Sequence, residues 1–183
     1  MSIVWSSAVG SEENMELLQA IQKRVSVRDF TDQEVSSEQL ERILEAGRQA
    51  PSAKNRQAWR YVVVRNAATR KELENASFGQ EYVGRAPVVI ALCTTNIEYK
   101  MPNGQLSYPV DLGIASAFMM IQATAEGLGS CCITTFREQE VKSLLSVPYS
   151  MRVVMLLLVG HSAGHTEGEQ RLNMNRIVSY EHW

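Results

Sequence analysis

The chain has 183 residues and a net charge of −2, from 18 basic and 20 acidic side chains. Its 45% hydrophobic and 21% charged content is that of a globular domain; it excludes wholesale disorder, and the balanced charge argues against a general nucleic-acid or polybasic membrane binder. Cys93, Cys131 and Cys132 include no CxxC spacing, and two are adjacent, where a disulfide would be strained, so a reducing cytoplasm is expected. Met1–Gly10 lacks the basic start and long apolar core of a cleavable signal.

In chain order, residues 1–13 mix Ser-Ser, Gly and Glu-Glu and read as a mobile arm, with a single domain expected over 14–183. Asn14 is placed to cap a helix whose Leu17, Leu18 and Ile21 share one buried face and which ends near Lys23. Arg24–Arg28 follows as a loop or extended segment. Ser36-Ser-Glu-Gln39 has the capping-box pattern for a second helix, packed through Leu40, Ile43, Leu44 and Gly47 and stopped by Pro51. Tyr61–Val64, Val88–Cys93 after Pro87, and Val153–Val159 are apolar runs of strand length, with a short polar helix over about 67–76. Strands apolar on both faces and separated by helices predict a sheet covered on both sides.

Val110–Gly127 predicts a helix apolar all round, and between Met101 and Ala125 Asp111 is the only charge. Either a second subunit covers part of it, the reading preferred here, or it is the central core helix of a monomer. It is too dotted with Ser, Gln and Thr to span a bilayer. Before it, 99–109 is a turn-rich loop with two tyrosines, suited to covering a pocket.

Nucleotide-loop, metalloprotease and nucleophile-elbow motifs are absent, and no metal site is expected: His161 and His165 stand among glycines that disfavour a helix. Cys131 and Cys132 read as small buried apolar groups rather than reactive thiols. A chain without an obvious acid–base set can take its chemistry from a cofactor. Between Ala46 and Lys71 there are seven basic residues and no acid, and Arg24 and Arg28 flank Ser26. Guanidinium forks with a hydroxyl suit a phosphate monoester, while a solvated basic face explains the same charge.

Three segments, in order, resemble the flavin-dependent nitroreductase family. Lys23-Arg-Val-Ser-Val-Arg-Asp-Phe30 is similar to its RxSxRxF, and Leu44 to Trp59 to its LxAAxxAPSxxNxQPW. Asp111-Leu-Gly-Ile-Ala115 running into Gly127-Leu-Gly-Ser-Cys131 is the third. The resemblance implies an α+β fold with a central, mostly antiparallel sheet flanked by helices, in an intertwined homodimer with FMN at the interface. It implies that Arg24, Val25, Ser26 and Arg28 hold the phosphate and ribityl chain, with Arg171 as a further phosphate arginine. Pro51, Ser52, Ala53 and Asn55 of the partner copy would line the ring, and Gln80 would reach its pyrimidine edge. Cys132, Ile133, Thr134 and Thr135 would form the turn beside it.

On the alternative, Ser52 and Asn55 only cap a turn after Pro51, and Arg28 pairs with Asp29 or Asp32. Ala58 stands in place of a usual proline, Cys132 of an aromatic, Thr135 of a glycine and Glu169 of a base. The implied activity is ping-pong hydride transfer from NADH or NADPH through flavin N5 to a nitroaromatic, quinone or similar small acceptor. No catalytic side chain is required, because the flavin carries the chemistry. A dehalogenase-like or flavin-consuming reductase, and a non-catalytic flavin or phosphate-ligand binder, are the rival readings.

Overall fold

The three apolar runs are strands, and a fourth joins them. The computed structural model describes residues 16–164, 168 and 170–183. The expected arm, the Asn14 cap, His165 and Glu169 lie outside the described residues. Strands β1 (Trp59–Val64), β2 (Val88–Thr94), β3 (Gly129–Ile133) and β4 (Arg152–Gly160) form one sheet in the order β1-β2-β4-β3, with every neighbouring pair antiparallel.

Because side chains alternate across a strand, β2 sends Val88, Ile90 and Leu92 to one face and Val89, Ala91 and Cys93 to the other. All six are buried, which is why this run shows no polar alternation. The first face is covered by α2 (Ser37–Arg48) and α5 (Ser107–Ala125). The second is covered by α3 (Ala67–Ala76), α4 (Glu81–Arg85) and α6 (Glu138–Leu144). β3 escapes sequence reading because Gly129 and Ser130 dilute its apolar character. Cys132 and Ile133, expected in a turn, are strand residues here, paired with Leu157 and Leu156.

Local signals hold where the chemistry is local. Ser36 Oγ accepts the Gln39 N–H and Gln39 Oε1 accepts the Ser36 N–H, both at 3.1 Å, closing the capping box. Asn66 Oδ1 accepts the Thr69 N–H at 3.0 Å and caps α3. α2 and α5 meet at Gly47, where an added Cβ would lie 2.2 Å from Met119 Cε, so the glycine sets how closely the helices approach. Arg42 then ties α2 to the end of α5 through two 2.6 Å bonds to the Glu126 carboxylate.

Two expectations are corrected. In α1 (Leu17–Lys23), Leu17, Leu18 and Ile21 are 68%, 63% and 49% exposed, and only Ala20 is buried, against α5. The spacing does define one apolar face, but none of the described residues covers it. Helix α5 begins at Ser107 rather than Val110, and the described residues of one chain cover only part of it. Leu112, Ala115, Met119 and Ala123 enter the core, while Val110, Ala117 and Phe118 stay exposed and Ile114 half-buried. Those positions recur every three or four residues and form a second stripe along one side. Among the described residues, no helix is long and apolar enough to cross a membrane.

Candidate functional site

The segment after α1 is drawn onto β3 by its backbone. Arg24 leaves the helix in extended conformation, Ser26 forms a parallel bridge to Ser130, and the Val27 N–H donates to the Ser130 carbonyl at 3.0 Å. Gly129 permits the approach, since a Cβ there would sit 2.6 Å from Val27 Cγ2. Val25 and Val27 thereby face a cavity of about 450 Å³, shared with Gly129, Ser162, Gly164 and Gly168. Arg24 and Ser26 are half-buried and Arg28 is exposed. Among the described residues neither arginine's side chain has an ion pair or hydrogen bond, so the Arg28–Asp29 or Arg28–Asp32 pair is not formed. Ser130 Oγ, on the strand that Ser26 joins, is buried without a hydrogen-bond partner.

That donor set fits a phosphorylated polyhydroxy ligand such as FMN. Two guanidiniums without a carboxylate are a ready partner for a phosphate monoester, and an orphaned buried hydroxyl is costly until something satisfies it.

The loop between α2 and β1 is held in an unusual shape. The buried Asp111 of α5 accepts the Ala53 N–H at Oδ1, 2.8 Å away, and Ser52 Oγ accepts the Gln57 N–H at 3.0 Å. Lys54, Asn55 and Gln57 all have φ near +50°. Asn tolerates that region, but for Lys and Gln it costs about 1 kcal/mol or more each. Asn55 Oδ1 accepts from Gln57 Nε2 at 3.0 Å, so Ser52 caps this turn through the backbone and Asn55 bonds only a side chain. Pro51 and Asn55 are exposed, and Ser52 and Ala53 half-buried.

Gln80 and Thr135 are brought together: Gln80 Nε2 donates to the Thr135 carbonyl at 3.0 Å and to the Ser77 carbonyl at 2.8 Å, while Gln80 Oε1 accepts from the Tyr82 hydroxyl. Thr134 and Thr135 are exposed just beyond β3. The Ile133 side chain is buried in the core beneath the sheet, so this residue offers a ligand its backbone rather than its side chain. Cys132 is half-buried, its Sγ 3.3 Å from Met155 Sδ, and burial pushes its thiol up to about 11, so it is a neutral apolar surface at physiological pH. Arg171 is exposed in the tail that passes Val25 at Gly168.

The Arg24–Ser26 segment runs along β3 and the Pro51–Asn55 loop leads into β1. These strands are opposite edges of the sheet, three strand spacings or about 14 Å apart.

The profile of the Nitroreductase family matches residues 21–82 and 78–161. The chain belongs to the nitroreductase family. A "Putative NADH dehydrogenase/NAD(P)H nitroreductase" of Archaeoglobus fulgidus is 31% identical over 170 residues, covering 88% of this chain and 96% of that protein. The "FMN reductase [NAD(P)H]" of Bacillus subtilis is 29% identical, covering 91% of this chain and 74% of that protein. A nitroreductase family structure from Clostridium difficile 630 superposes with TM-score 0.82 at 28% identity, over 92% of this chain and all of that one.

This nitroreductase has one positioning residue that sequence reasoning did not place in the site: Asp111. Its signal was present as the only charge in an otherwise apolar helix.

Proposed function

We propose that this chain is a cytoplasmic FMN-dependent oxidoreductase that passes hydride from NADH or NADPH to a small electron-poor acceptor such as a nitroaromatic or quinone. The observation that carries it is the Arg24–Arg28 segment, whose two guanidiniums, without a partner among the described residues, flank Ser26 beside an orphaned serine hydroxyl, in a member of the nitroreductase family. The B. subtilis relative, by its name, reduces FMN with NAD(P)H.

Arg24, Ser26 and Arg28, with Val25 between them and Arg171 from the tail, hold the phosphate and ribityl chain by charge-assisted hydrogen bonds. Pro51, Ser52, Ala53 and Asn55 of a second copy supply the ring's other wall, and Gln80, Cys132, Thr134 and Thr135 stand at its edge. When bound, FMN supplies the two-electron carrier that accepts hydride from one reactant and gives it to the next. The chain's part is positioning: cations beside the site favour the negative charge of the reduced state, and apolar walls exclude water.

A homodimer is favoured by two features of a single copy. The loop and segment assigned to one ligand sit at opposite sheet edges, and apolar faces on α1 and α5 are left uncovered by the described residues. The test is titration of the purified chain with FMN, followed by NADH or NADPH with a quinone. A folded chain that takes up no FMN refutes the proposal, and bound FMN without turnover on any acceptor favours the binding-protein reading.

A further inference from the structure

Between Ala46 and Lys71 the chain carries seven cations and no acid, and the fold occupies five of them. Arg48 is bound by Glu45 and Lys71 by Glu74. Arg60 donates to the Trp59 carbonyl, Arg65 to those of Val35 and Ser36, and Arg70 to those of Arg65, Gly84 and Ala86. Lys54 and Arg56 are left with one aromatic ring. The Arg56 guanidinium carbon lies 4.1 Å, and Lys54 Nζ 5.6 Å, from the centroid of Tyr99. Glu98 adjoins Tyr99 in the chain yet pairs with neither among the described residues.

The two cations are presented by a built loop. They alternate with Asn55 and Gln57 through three left-handed residues, on a turn latched by Asp111 and by Ser52. Arg56 is exposed while its guanidinium carbon lies over the Tyr99 ring, so a planar guanidinium stacked there would keep one face for a ligand. That face can stack on a purine while its N–H edge and the neighbouring ammonium meet a phosphate on the attached ribose.

We infer that Lys54, Arg56 and Tyr99 form the donor-selecting rim of the site, recognising the adenosine 2′-phosphate of NADPH in preference to NADH. This rests on the functional reading above, because the rim adjoins the loop assigned to the ring. A dianionic monoester held by two cations gains what the plain ribose hydroxyl of NADH cannot.

The test uses the full chain and its K54Q/R56Q variant, with 2′,5′-ADP and 5′-AMP as binding probes and the kcat/KM ratio for NADPH over NADH as the second readout. The parent chain is expected to bind 2′,5′-ADP roughly tenfold to hundredfold tighter than 5′-AMP, the range of one or two charged contacts. In the variant that preference disappears and the ratio falls by a similar factor. Equal binding of the two nucleotides by the parent, or a preference that survives in the variant, overturns the inference. FMN uptake is scored separately by absorbance. A parent chain that takes up no FMN but prefers 2′,5′-ADP sinks the functional reading while leaving the phosphate site standing.

Discussion

Replacing Asp111 by Ala removes the acceptor that latches the α2–β1 loop to α5. The carboxylate is 6% exposed and receives the Ala53 N–H at 2.8 Å, so the loss is that of a charge-assisted bond, about 1.5–3 kcal/mol. For a domain of this length that lowers Tm by about 3–12 °C. Asp111→Asn keeps an oxygen in the same place and recovers about half of the loss, the difference between a neutral and a charged bond. The loop carries two non-glycine, non-asparagine residues at positive φ, Lys54 and Gln57, and the Asp111 latch is one of the bonds that offset their strain. FMN affinity therefore falls together with stability. The assay is calorimetric unfolding at one fixed protein concentration, since assembly shifts Tm, with FMN titration alongside. A loss below about 0.5 kcal/mol for Asp111→Ala, the size of an ordinary surface substitution, refutes the latch.

Arg24→Ala removes one charged phosphate contact and weakens FMN binding by about 1.5–3 kcal/mol, or roughly tenfold or more; occupancy after gel filtration measures it, and unchanged occupancy displaces the phosphate site. Phe118→Asp, on the open stripe of α5, yields a monomer by light scattering in place of the proposed dimer; a mass unchanged from the parent moves the interface off that face. Met119→Asp, by contrast, disrupts the α2–α5 core, because Met119 packs on Gly47 within one chain. Arg42 holds the Glu126 carboxyl below its ordinary value of 4.5, and Arg48 holds Glu45 at about 2. Both folded values lie below the unfolded one, so these contributions are complete above about pH 5 and are lost as pH falls from about 4.5 toward 2. Tm follows that course, Glu126→Gln flattens it, and salt removes the exposed Glu45–Arg48 part.

The α2 cap at Ser36, the span of α3 over 67–76 and the strands at Val88 and Val153 were legible because each depends on neighbours in the chain. β3 was not, because Gly129 and Ser130 are there for contact with Val27 and Ser26, segments a hundred residues away. The candidate site was legible by resemblance in the Arg24–Arg28 segment and the Pro51–Asn55 loop. The resemblance put the Ile133 backbone beside the ligand, and the alternation of β3 turns its side chain into the core. The open faces of α1 and α5 read as buried from their spacing alone, since periodicity says that a face is apolar and not which molecule covers it.

Composition and local pattern by themselves determined that this chain folds around a two-sided apolar sheet and carries two arginines around a serine near its start. Those properties follow from short-range sterics, hydrogen bonding and the periods of helix and strand. Tertiary structure alone decided that Asp111 latches the Pro51–Gln57 loop, that Arg65 and Arg70 serve carbonyls, and that Lys54 and Arg56 rest on Tyr99. Those outcomes depend on which distant side chains meet across the core, and one-dimensional order does not contain that distance.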